Sequence, residues 1–180
     1  MVTISVITAV RNGSATIRES IESVRRQSHP AEHIVIDGAS DDATLEIVRE
    51  SAAGAVVVSE PDGGFYDALN KGLRIAGGDI IGILNANDFY ADTEVLARVS
   101  EVLTDGRADS CYGDLLYVDG EKTDRIVRCW RSGTYQERSF YQGWMPPHPT
   151  FFVQRRIYET YGGFNTAFGT AADYELMLRF

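Results

Sequence analysis

Residues 79–90 read DIIGILNANDFY. Ile80, Ile81, Ile83 and Leu84 are apolar in near succession, and then Asn85, Asn87 and Asp88 follow at once. A short apolar run without polar alternation reads as a strand covered on both faces, which is the habit of parallel sheets. Two amides and a carboxylate at its exit mark where the strand leaves the sheet. The fold turns on whether the rest of the chain supplies parallel partners.

It does, reading outward from that strand. Val2-Thr3-Ile4-Ser5-Val6-Ile7 alternates and then turns apolar, and Asn12-Gly13 supplies a turn. Ile17, Ile21 and Val24 share one helical face, with Arg18, Glu19, Glu22, Arg25 and Arg26 mostly opposite. Ile34-Val35-Ile36 is a second strand that stops at Asp37-Gly38, and Ser40-Asp41-Asp42 opens a second helix. Val56-Val57-Val58 is a third strand, closed by Glu60-Pro61-Asp62-Gly63-Gly64. Ala68, Leu69, Gly72, Leu73 and Ala76 form a helical stripe before residue 79, and Leu96, Val99, Val102 and Leu103 form another after it. The alternation predicts an α/β fold with a mainly parallel sheet and helices on both faces.

The pattern changes after residue 108. Residues 110–118 and 125–129 read as a hairpin around Asp119-Gly120. Residues 130–150 are irregular and aromatic, Phe151-Phe152-Val153 is a last short strand, and a helix follows near Ile157. A further helix from Ala171 stops in mid-pattern at Phe180, which suggests C-terminal truncation. One domain over 1–180 is expected, with halves at 1–105 and 106–180.

Composition narrows the chemistry. The net charge of −9 disfavours a nucleic-acid partner, which calls for a basic face. Cys111 and Cys129 form no zinc spacing and no disulfide framework, and His29, His33 and His148 are too scattered for a histidine metal cluster. Free thiols point to the cytoplasm, with the inner face of the membrane as the alternative location. No run is long enough to span a bilayer.

Ligands of open parallel sheets sit beyond the carboxyl ends of the strands. Those ends carry Thr8, Ala9, Arg11 and Asn12; then Asp37; then Glu60 and Asp62; then Asn85, Asn87 and Asp88. Any one aspartate alone reads as a cap or turn residue, but four successive polar ends along one edge read as a site. No G-x-G-x-x-G follows the first strand and no phosphate-binding P-loop exists. Carboxylates accept a diphosphate only through a divalent cation, so a nucleoside diphosphate with Mn²⁺ or Mg²⁺ is the implied ligand.

The segments SVITAVRNG, VIDGASDDAT, EPDGGFYDALNKG, GDIIGILNANDFY, SCYGDLLYVDG, GWMPPHPTFFV, YGGFN and AADYELMLRF together resemble the inverting family 2 glycosyltransferases of GT-A fold, closest to bacterial envelope and exopolysaccharide types. The resemblance covers nearly the whole chain. It implies a nucleotide-sugar donor, UDP-linked first, and a glycan or lipid-linked acceptor, with peripheral membrane association and oligomeric state left open. It implies that Asp37 reads the base, that Asp62 lies close to the same nucleotide, and that Thr8, Ala9, Arg11, Asn70 and Asn87 line it. Asp88 matches the metal-binding acid of the D-x-D-type motif, while Asn85 and Asn87 stand where relatives often carry acids. Asp173 matches the catalytic base; its alternative is a carboxylate at a helix N-terminus. Asp114, Trp144 and His148 are expected on the acceptor and phosphate side, with loop packing the alternative for Trp144. Two other functions remain: a nucleotide-binding module without turnover, and a nucleotidyltransferase.

Overall fold

The computed structural model describes residues 2–180. Eight strands and six α-helices form, in order, β1 (Ile4–Val10), α1 (Ile17–Arg25), β2 (Ala31–Asp37), α2 (Thr44–Ser51), β3 (Val56–Ser59), α3 (Phe65–Ile75), β4 (Ile80–Ile83), α4 (Val95–Thr104), β5 (Ser110–Cys111), β6 (Leu115–Val118), β7 (Ile126–Trp130), β8 (Phe152–Gln154), α5 (Arg155–Tyr161) and α6 (Ala172–Arg179). The main sheet has the order β3-β2-β1-β4-β8-β5. Strands β1 to β4 are parallel, and β8 lies antiparallel between β4 and β5.

Both faces of this sheet are covered, as its apolar strands require. Ile7, Ala9, Ile34, Ile36 and Ile83 pack on one side with Ala68 and Leu69 of α3, Ile157 and Tyr158 of α5, and Leu176 and Met177 of α6. On the other side Ile4, Val6, Ile80 and Leu84 meet Leu96, Val99 and Leu103 of α4, while Val10 and Val35 meet Ile17 and Ile21 of α1. Burial of this kind contributes roughly 25 cal/mol per Å² of apolar surface and dominates the stability of the fold. The chain runs outward from β1 to β3 on one side and to β4 on the other. The order therefore reverses between β1 and β4, and a crevice opens there at the strands' carboxyl ends.

Two expectations need correction. Val56–Val58 is an edge strand with no neighbour on its far side, so Val56 and Val57 stay 43% and 36% exposed instead of being covered twice. The run 110–118 is not one strand. It breaks at Tyr112-Gly113-Asp114, so β5 joins the main sheet beside β8 while β6 pairs only with β7. Long-range pairing of this sort leaves no periodic trace in sequence.

Candidate active site

The crevice holds two polar groups. The first closes β1, β2 and β3. Asp37, at the end of β2, is fully buried. Its carboxylate accepts the backbone N–H and hydroxyl of Ser40 and, at 2.6 Å, the hydroxyl of Ser59. Asp37 therefore ties the ends of β2 and β3 together beneath the crevice surface. What faces outward is Asp62. Its carboxylate accepts the N–H of Gly64 at 2.9 Å and packs so closely on Gly38 that any Cβ there would collide with it. Arg11 flanks the same glycine and is exposed.

The loops here are strained. Asn12 and Ala39 both have φ of 54°, a left-handed conformation that asparagine tolerates and alanine resists, and that concentrates at functional sites. They interlock: the Asn12 N–H donates to the Ser40 hydroxyl at 2.8 Å, and the Asp41 N–H donates to the Asn12 amide oxygen at 3.0 Å. Asp42 accepts from Ser14 and from Thr44 at the start of α2, and those hydrogen bonds hold its carboxyl below the usual range. It acts as a helix-start residue, as its sequence position suggests.

The second group gathers from three distant segments. Asp88, after β4, accepts the Asn85 amide N–H at 2.7 Å. Burial raises its carboxyl above the ordinary range, against the pull of Asn85 and His148. His148, in a 3-10 turn at residues 148–150, sets Nδ1 3.6 Å from the Asp173 carboxylate at the start of α6. Burial lowers the His148 imidazole below its ordinary value, and the nearby charges of Asp173 and Asp88 oppose that shift. Tyr66, on the first turn of α3, stands beside Asp173. Burial and then the Asp173 charge push its phenol up to about 12. A cavity of about 10 Å³, room for one water, lies under His148 and Asp173 against Ile83, Phe151 and Tyr158. Asp88 and Asp173, 85 residues apart in sequence, thus both act on the charge of one histidine, and Asp173 stands nearest to it. Tyr66 carried no signal in the sequence beyond its place after Asp62.

Two buried polar atoms here lack partners among the described residues: the Asn85 side-chain oxygen and Nε2 of His148. Orphaned buried polar groups are rare and call for an explanation. Among the described residues no three His, Cys, Asp or Glu side chains cluster closely enough to hold a metal by themselves, while an amide oxygen, an imidazole nitrogen and a carboxylate are donor types suited to Mn²⁺ and compatible with Mg²⁺.

The loop after β1 bridges the two groups, since Gly13 lies against Ala86 as well as Val10. Most of the remaining expected residues fall elsewhere. Thr8 is fully buried, its hydroxyl 3.0 Å from Nε2 of His33, and Ala9 packs in the core. Neither side chain faces the crevice, because β1 is the central strand and is covered on both faces. The Asn70 amide is committed at both ends, donating to the Phe164 carbonyl at 2.8 Å and accepting its N–H at 2.9 Å. It clamps the loop before α6. Asn87 is exposed beside Asp88. Asp114 accepts the Ser132 N–H at 2.9 Å, and the Trp144 indole donates to the Ser132 carbonyl at 2.9 Å. The Trp144 ring packs among Tyr112, Tyr135 and Phe140, so loop packing describes it. A larger cavity of about 450 Å³ between α3 and α5, lined by Leu73, Arg74, Glu159 and Phe164, contains none of the strand-end residues.

Comparison with known proteins agrees with this geometry. Residues 5–162 match the family described as Glycosyl transferase family 2, and the chain belongs to it. An uncharacterized glycosyltransferase of Mycobacterium tuberculosis is 35% identical over 184 residues, covering 98% of this chain and 68% of that protein. A mannosyltransferase of Pyrobaculum calidifontis, solved with GDP-Man and Mn²⁺, superposes with a TM-score of 0.74 at 24% identity, over 97% of this chain and 50% of that one. S. aureus TarS residues 1–349, solved with UDP-GlcNAc, gives 0.76 at 19% identity over 98% and 52%. The fold is GT-A, and the chain spans about half the length of those two solved proteins.

Proposed function

We propose that this chain transfers a sugar, with inversion, from a nucleoside-diphosphate donor to a hydroxyl of a glycan or lipid-linked acceptor, with a divalent cation, in envelope or exopolysaccharide synthesis. The observation that carries the reading is the Asp173 carboxylate 3.6 Å from Nδ1 of His148, an imidazole that also feels the charge of Asp88 beyond the end of β4. One solved neighbour of this fold holds UDP-GlcNAc and another holds GDP-Man together with Mn²⁺, which supports the donor class and, from the second, the metal.

Arg11, Gly38 and Asp62 line the base end, with Asp37 supporting them from beneath. Asp88, Nε2 of His148 and the Asn85 side-chain oxygen would hold the cation. When bound, that cation supplies positive charge to the leaving diphosphate. Asp173 accepts the proton of the attacking hydroxyl on the face opposite the leaving group, as a single displacement with inversion requires. His148 and Tyr66 flank its carboxylate and fix its direction. Neutral His148 suits this place: an imidazole kept uncharged by burial retains the lone pair that a cation needs. Aromatic packing at Phe65, Tyr66 and Phe164 shields this side from water.

The test is donor turnover across UDP-, GDP- and dTDP-sugars, with and without Mn²⁺. Release of the nucleoside diphosphate that depends on metal and on Asp173 is the expected result. Nucleotide binding with no turnover of any donor would leave a binding module instead.

A further inference from the structure

Asp173 stands in the first turn of α6, and the chain that delivers it there is not stiff by itself. Residues 166–171 form 3-10 turns broken at Gly169, whose φ of 53° and ψ of −127° leave the helical region. Short 3-10 pieces have poor hydrogen-bond geometry and hold their shape weakly. A base misplaced by about 1 Å can nevertheless lose roughly a hundredfold in rate. Something other than the approach segment has to fix the carboxylate.

The turn ahead of that segment is pinned from two sides. Asn70, in the middle of α3, donates its side-chain N–H to the Phe164 carbonyl at 2.8 Å and accepts the Phe164 N–H at 2.9 Å. The two bonds close on one residue 94 positions away and fix its backbone in distance and in rotation. Gly163 leaves room for this, because a Cβ there would collide with the Asn70 amide oxygen. Arg179, in the last turn of α6, grips the same turn from the other side. Its guanidinium donates to the carbonyls of Tyr161, of Gly162 at 3.1 Å and of Gly163 at 2.8 Å, while Glu175 accepts from its Nε at 2.9 Å.

Phe164 carries that constraint to Asp173. Its ring lies 5.3 Å from the ring of Tyr66, which stands beside Asp173. Phe164 and Asp173 also wall the same one-water cavity under His148, so moving Phe164 opens space beneath the carboxylate. Tyr66 and Asn70 are one turn apart on α3 and share a face. That helix starts directly after Asp62-Gly63-Gly64. The Asp62 end of the crevice and Asp173 are thus referenced to one helix. We infer that Asn70 is a positioning residue that sets the Asp173 carboxylate through the Phe164 turn, with Arg179 as the second arm of the clamp. Its consequence for rate rests on the proposed base role of Asp173.

The experiment compares Asn70→Ala and Arg179→Lys with wild type in metal-dependent donor turnover, alone and combined with Asp173→Asn, beside amide hydrogen exchange without ligand. Asn70→Ala should lower kcat roughly tenfold or more and leave donor KM and UDP affinity within about twofold. Arg179→Lys keeps the charge but loses the fork across the carbonyls. It should show the same pattern more weakly, and it carries the test should Asn70→Ala fold poorly. In the Asp173→Asn background neither change should lower kcat by more than about twofold, since residues that act through one group are not additive. A merely structural role would lower kcat alike in both backgrounds. Exchange should quicken at Phe164 and at residues 172–176 and keep wild-type rates in α1. Additivity with Asp173→Asn, or unchanged exchange at 172–176, would overturn the inference. So would a fall in UDP affinity matching the fall in kcat, which would make Asn70 a nucleotide contact. Wild-type protein that turns over no donor would remove the transferase reading instead, and the exchange pattern would still decide whether Asn70 holds Asp173 in place.

Discussion

Asp37 and Asp88 both close apolar parallel strands in the same sheet, yet the protein treats them in opposite ways. Asp37 is completely buried and its oxygens are taken by two serines. Asp88 is half-buried, held by one amide, beside buried atoms that have no partner. The first is satisfied and works for the fold. The second is left short of partners, as the proposed ligand role requires. Residue type and strand position alone do not separate a supporting carboxylate from a working one; the supply of donors around it does.

The largest effect that would sharpen this contrast belongs to Asp173. Asp173→Asn should cut transfer by roughly 10²–10⁴, the usual contribution of a general base, while UDP affinity in calorimetry stays near wild type. Equal loss of both would remove it from the base role. Next comes acid. Burial pulls the His33 imidazole down to about 4, so the native state keeps it neutral while the unfolded chain protonates it near 6.5. Its contribution is intact above pH 6.5 and is lost as pH falls towards 4, by about 3 kcal/mol. Urea titrations across that window should show the slope, and a flat profile would contradict the burial of His33.

Asp88→Ala should weaken Mn²⁺-dependent nucleotide binding by about a hundredfold, read by thermal shift with and without metal. Asp37→Asn should instead lower unfolding free energy by about 2 kcal/mol, the scale of charge-assisted hydrogen bonds to a buried carboxylate. The smallest effect is the most telling. Asp88→Asn removes a carboxyl that burial disfavours in its charged form, so the melting temperature of the ligand-free protein should hold steady or rise. A drop like that of Asp37→Asn would erase the distinction between the two aspartates.

Much of this was legible in the sequence. Short apolar runs ended by polar residues gave β1 to β4 and their order of appearance: β1, β2 and β4 because doubly covered strands carry a dense local signal, and β3 because three valines in a row favour a strand even at an edge. The position of Asp88 and the family carry-over to Asp173 followed from the strand ends and the motifs. What stayed hidden depended on contacts between distant segments. The insertion of β8 between β4 and β5, the edge exposure of Val56, and the commitment of Asn70 to Phe164 have no periodicity to betray them. The burial of Asp37 depended on Ser40 and Ser59, ordinary residues in sequence. The resemblance placed His148 on the acceptor and phosphate side, but its 3.6 Å approach to Asp173 needed the 3-10 turn at 148–150.

The central claim is that Asp88 and His148 hold one cation beside Asp173, and Mn²⁺ reports on it directly. Substoichiometric Mn²⁺ with UDP, followed through the imidazole NMR resonances of the three histidines, should broaden His148 strongly and leave His29 and His33 sharp. Asp88→Ala should abolish that broadening. An unaffected His148, or equal broadening of all three, would contradict the account.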